Sequence, residues 1–230
     1  MTEEKVIEFQ GCTIHLHKND LPKSVGREIM MGLYQTVSID CIVNEIADVQ
    51  VISFCHPKSE DEWDIHIVTQ PNDGNYIKQI LQDPLTSKVI FDCKSQITNI
   101  ARHLDFDPKD CLKIRGCSCL KALSIIIDPL ENKGHDETIK EWCPDAELPA
   151  LDMPILEDLT QEQIQALAAR VYYNLLTSRG IVEAIEASPE SSWLKEAAIQ
   201  FNDSWGALTT LELYCFFSAA ALFDPSASTL

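Results

Sequence analysis

The chain has 230 residues, 45% of them hydrophobic, which is enough for one α/β domain with a sizeable core. Its 18 basic and 36 acidic residues give a formal charge of −18, which excludes a broadly basic nucleic-acid surface; a local groove is left, and the acid excess reads equally as solubility or as a surface for a basic partner. No run reaches the roughly 20 apolar residues of a membrane span; the charged start Met1-Thr2-Glu3-Glu4-Lys5 lacks the apolar core of a secretory signal, so an intracellular protein, nuclear or cytoplasmic, is expected.

Residues 6–17 alternate as one or two short strands. Pro22 to Leu33 predicts a helix with Val25, Ile29, Met30 and Leu33 on one face. Three strands follow at 36–43, 49–55 and 63–68, the last two joined by the polar stretch His56 to Glu62. Tyr76 to Leu81 reads as helical, Ser87 to Asp92 as a buried strand, and Ser95 to Leu104 as a helix facing inward through Ile97, Ile100, Ala101 and Leu104. Pro108 to Ile114 makes a short connection or strand, and Leu120 to Ile127 a further helix.

Residues 128–158 are acidic, broken by Pro129, Pro144, Pro149 and Pro154, and read as a long surface loop. Thr160 and Gln163 form a capping box for the next helix, which runs to about Arg179, short of Gly180. Two helices are expected after it: Ser191 to Phe201, and Leu208 to Phe223, which is apolar all round and therefore buried in a core or an interface. On the second, Leu211, Tyr214, Phe216 and Phe217 are the candidates for partner binding or a homodimer seam.

The nine cysteines lie mostly in apolar segments and read as reduced core residues. Cys117-Ser118-Cys119, even with Cys111 and Cys143, lacks the spacing of a structural zinc site. Of the six histidines, His15 and His17 share a strand face and have ligand spacing, but an exposed edge strand explains them as well. Neither Cys41 nor Cys93 has a sequence-evident His or Asn orienter, and there is no phosphate-binding glycine loop and no nucleophile elbow.

Three stretches together carry a resemblance. Val37 to Ile42 followed by Val49 to Phe54 is similar to a strand ending in Asp-x-Glu and its neighbour. Lys88 to Ile97 with Ala101-Arg102-His103-Leu104 is similar to a second motif, and Leu159-Thr160-Gln161-Glu162-Gln163 with Ala166 to Tyr173 to a third. Ser118 to Leu123 fits the helix between the last two. In this order and spacing, residues 33–187 resemble the RNase D-like 3′–5′ exonucleases of the DEDD superfamily. The resemblance implies an α/β fold, an RNase H-like mixed β-sheet flanked by helices, here with an extra C-terminal helical segment at 188–230 and residues 1–32 as a strand–helix extension of the same domain.

It also implies a site. In that family four carboxylates hold two divalent metals, about 3.5–4 Å apart, which supply the nucleophile and stabilise the leaving oxyanion. Carried over position by position, the first acid falls on Asp40, the second on Ile42, the third on Gln96 and the fourth on Val171, with the family's tyrosine on Leu167. One carboxylate cannot hold two Mg²⁺ ions against their hydration; of the nearby substitutes, Glu45, Asp92, Tyr172 and Tyr173, none takes an equivalent position. The expectation is therefore a degenerate exonuclease domain that is not an enzyme, with no catalytic residues, metal or cofactor, serving as a protein-interaction module in an RNA-processing or RNA-silencing complex. Two alternatives stay open: a non-cleaving single-stranded RNA-binding adaptor, and a divergent active metal-dependent 3′–5′ exonuclease.

Overall fold

A computed structural model describes residues 7–187, apart from positions 33, 47, 60–61, 73, 112, 128–132 and 152–157. The elements in chain order are β1 (Ile7–Phe9), β2 (Cys12–Lys18), α1 (Lys23–Met31), β3 (Thr36–Val43), β4 (Val49–Pro57), β5 (Trp63–Thr69), α2 (Asn75–Gln82), β6 (Ser87–Ile90), α3 (Cys93–His103), α4 (Pro108–Cys111), β7 (Cys117–Cys119), α5 (Leu120–Ile127), α6 (His135–Trp142) and α7 (Gln161–Ala187). The expected C-terminal helices, with Leu211, Tyr214, Phe216 and Phe217, lie outside the described residues. No helix among the described residues is long and apolar enough to cross a membrane.

The strands form one seven-stranded sheet in the order β1-β2-β5-β4-β3-β6-β7. The β3-β4-β5 meander is antiparallel, while β2 joins β5, β6 joins β3, and β7 joins β6 in parallel. The central strands are β-branched and buried on both faces, as a sheet covered by helices requires.

Register fixes the two faces, because directly paired residues point the same way. Asp40 pairs with Ser53, and Ser53 with Ile67; Trp63 lies on the same face and packs against Tyr172 of α7, ring centroids 5.2 Å apart. The opposite face carries Phe54 and His56 of β4 with Asp64 and His66 of β5. Helix α1 runs beside this second face, where the charge of Glu28 acts on His56 and Lys58.

Helix α7 begins where the capping box places it: the Gln163 N–H donates to Thr160 Oγ1 at 3.2 Å, and the Thr160 N–H to Gln163 Oε1 at 3.0 Å. It then runs past the expected end at Arg179. Gly180 is not a stop; a Cβ there would meet Cε3 of Trp142 at 3.2 Å, so the glycine lets α6 pack closely. The presence of α6 corrects the reading of 128–158 as loop throughout. Its start is fixed by Gly134, whose N–H donates to Glu137 Oε2 at 2.9 Å, and it buries only Thr138 and Ile139, too little to leave a periodic pattern. Pro108 to Cys111, expected as a connection or strand, is the short helix α4.

Candidate active site

Strand β3 loses its parallel partner after Ser38, since β6 pairs with residues 36–38 alone. Beyond that point, side chains from α3 and α7 close in on it. Gln96 of α3 takes over where the strand stops: its Oε1 accepts the Cys41 N–H at 3.1 Å and its Nε2 donates to Asp40 Oδ1 at 2.6 Å. From α7, Arg170 donates through Nε to Asp40 Oδ2 at 2.5 Å. Asp40 is 2% exposed, so both carboxylate oxygens are buried and spoken for.

Burial alone would lower the pKa of the Arg170 guanidinium, but the charge and hydrogen bond of Asp40 outweigh it and the net shift is upward. The Arg170 side chain keeps 25% of its surface in solvent, while that of Asp40 keeps 1%. The cation held beside the middle of β3 is therefore more exposed than the acid it pairs with.

Helix α6 completes the cluster. The His135 ring stands edge-on to Phe91 at 4.9 Å, its Nδ1 2.9 Å from Asp136 Oδ1 and its Nε2 3.0 Å from the Asn174 side-chain amide of α7. Burial, then the charge of Arg170, lowers the pKa of His135. A neutral ring donates from one nitrogen only, and Asn174 Nδ2 is buried without a partner. Turning the Asn174 amide over satisfies both: Nδ2 donates to His135 Nε2, and His135 Nδ1–H donates to Asp136.

The positions carried over from the family separate into two groups. Asp40 and Gln96 meet in this cluster. Leu167 and Val171, 1% and 0% exposed, are packed in the main hydrophobic core, and Ile42 packs half-buried against it. The substitutes do not gather around Asp40. Asp92 caps α3 through the Ser95 N–H at 3.3 Å and lies 3.7 Å from Lys121 Nζ; Tyr172 and Tyr173 meet Phe9 edge-on. Sequence reading missed Arg170, His135 and Asn174. Nothing in the local sequence marks the first, whose partner lies 130 positions away.

The residues present do not fit a two-metal centre at Asp40. Its carboxylate has no free oxygen facing a second acid, and a guanidinium already neutralises it.

No family model and no curated protein matches the chain. Solved structures do. NrnC of Brucella melitensis with bound Mg²⁺ is 16% identical, with a TM-score of 0.63 over 94% of this chain and 99% of that one. The same protein bound to pGG is 16% identical, with a TM-score of 0.60 over 95% of this chain and 100% of that one. A structure of the apo form of a nuclease gives 14% identity and a TM-score of 0.63 over 94% and 99%. The seven-stranded mixed sheet flanked by helices is thus the RNase H-like fold that these nuclease structures share.

These structures overturn the expectation that the chain is not an enzyme. That expectation rested on Ile42, Gln96 and Val171, yet the structures sharing the fold from end to end are nucleases, one of them solved with Mg²⁺. Missing family carboxylates do not by themselves remove the chain from the enzymes.

Proposed function

We propose that the chain is a divergent 3′–5′ exonuclease that acts on single-stranded nucleic acid, with Arg170 as the cation that receives a phosphate beside Asp40 of β3. The Asp40–Arg170 pair carries this reading. Bonding through Nε leaves the terminal nitrogens outside that bond, on a side chain that keeps a quarter of its surface in solvent. A planar guanidinium binds phosphate oxygens through two parallel hydrogen bonds, and one held in place before the substrate arrives stabilises developing negative charge without reorganising. The likeness to NrnC, solved with bound pGG, supports the same class of ligand. With a net charge of −18 the rest of the chain repels a polyanion, so binding rests on local contacts and is weakened by salt.

The test uses 5′-labelled single-stranded RNA and DNA in EDTA, Mg²⁺ or Mn²⁺. The expected result is a ladder shortened from the 3′ end. Arg170→Lys, which keeps the charge and loses the fork, slows it at least tenfold with an unchanged circular dichroism spectrum. If wild type leaves every strand at full length in all three buffers, or if Arg170→Lys cuts at the wild-type rate, the reading fails.

A further inference from the structure

On the sheet face away from Asp40, four imidazoles and one carboxylate converge. Asp64 pairs across the β4–β5 ladder with His56, and His66 stands two residues beyond Asp64 on the same face. From β2, His15 pairs in register with His66. The rings of His15, His17 and His56 all stack on His66, at centroid distances of 4.9, 5.2 and 5.3 Å. His56, Asp64 and His66 are buried, at 2%, 7% and 2% exposure, whereas the His15 side chain keeps 38% of its surface in solvent and opens the cluster on that side.

We propose that His56, Asp64 and His66 form a binding site for a transition-metal dication of the zinc class. Their ligand atoms all lie within 4.8 Å of one another. His56 Nε2 and His66 Nε2 are 3.2 Å apart. Two imidazole nitrogens on one tetrahedral ion, each about 2.0–2.1 Å from it, stand about 3.3–3.4 Å apart. The observed separation is close to that spacing, and the ion would take the place of the proton now shared between the two nitrogens.

The surroundings suit the assignment. The other nitrogen of His66, Nδ1, is 3.0 Å from His17 Nε2. A proton held on Nδ1 and shared with His17 leaves the Nε2 lone pair for the ion, the usual way an outer hydrogen bond sets a ligand histidine's tautomer. Burial, followed by the neighbouring imidazoles, pushes His66 down to about 2, so it is neutral throughout the working range of pH. Two imidazoles and one carboxylate select zinc-class ions over Mg²⁺ or Ca²⁺, which require oxygen shells.

Asp64 Oδ2 already has two neighbours, His15 Nε2 at 3.6 Å and a closer ammonium. Lys58 Nζ lies 2.9 Å from its Oδ2, on a side chain that is 42% exposed and free to swing out. The ammonium is the cation that the metal displaces. Because ligands come from both strands of the β4–β5 hairpin, binding ties together the strands that flank the turn at Lys58. The inference does not depend on the nuclease reading.

The full chain is titrated with Zn²⁺ by calorimetry in a non-chelating buffer. One equivalent is expected to bind in the presence of millimolar Mg²⁺. His66→Gln and Asp64→Asn should each weaken it by at least tenfold, and Lys58→Met, an exposed change that leaves the core alone, should tighten it. Co²⁺ replaces Zn²⁺ as a second readout. A nitrogen–oxygen site gives weak visible bands with no thiolate charge-transfer band in the near ultraviolet. Absence of saturable binding, binding indifferent to Lys58→Met, or a Co²⁺ spectrum dominated by thiolate transfer from the cysteines would each overturn the proposal.

Discussion

Arg170 on α7 and Asp40 on β3, 130 positions apart in sequence, meet at 2.5 Å in a pair whose acid is almost wholly enclosed. Removing one partner of a buried pair leaves the other without compensation, a cost of about 3–5 kcal/mol. Arg170→Met is expected to destabilise by that order, whereas Asp40→Asn with Arg170→Met costs less than the single change. Urea denaturation of the three proteins measures the difference, and a double variant less stable than Arg170→Met would refute the account.

Gln96→Glu tests the same centre from α3. The new side chain still accepts from Cys41 N–H, loses its donor to Asp40, and sets a second carboxylate beside the first. A loss of about 1–3 kcal/mol is expected near neutral pH. The like charge raises the pKa of the introduced acid above its unfolded value of about 4.3, so the folded state binds the extra proton first. The deficit should shrink as pH falls through that raised pKa, read from denaturation midpoints between pH 7 and 4.

The sign is opposite for His135. Its folded pKa lies below the unfolded value of about 6.5, so the unfolded state takes up the proton first and wild-type stability falls as pH drops below that point. One such group contributes a slope of at most about 1.4 kcal/mol per pH unit. His135→Gln lacks this slope. The gap between wild type and variant should narrow from pH 7 to pH 5, with EDTA present and the remaining histidines common to both.

Gly180→Val places a branched side chain where a Cβ already meets Trp142 Cε3 at 3.2 Å. Overpacking of this kind costs about 1–3 kcal/mol. Thermal unfolding is expected to show a lower Tm, and the change should disappear when Trp142→Leu makes room.

What the sequence could reveal follows from the range of each interaction. The strand at 36–43 was legible because its burial on both faces leaves a run of β-branched residues, and the Thr160–Gln163 box because its partners are three residues apart. Arg170 was not, since nothing local distinguishes it from any helical arginine until β3 is laid against α7. The pairing of His15 and His17 was visible as a two-residue period, but the cluster they border needed the register that sets His56 opposite Asp64. Helix α6 stayed hidden among prolines and acids because it buries so little of itself, and Gly180 looked like a terminator because its reason is a tryptophan 38 positions earlier.

Helix α7 is 27 residues long and touches β1, β3, β4, β5 and β6 as well as α5 and α6. A rod of that length, about 40 Å, spans nearly the whole sheet. No strand of the meander can separate without lifting the helix, and the helix cannot lift without unpairing Arg170 from Asp40. The amides in the middle of α7 should therefore exchange their hydrogens at one common rate with those of β3 and β4, the rate at which the whole domain opens.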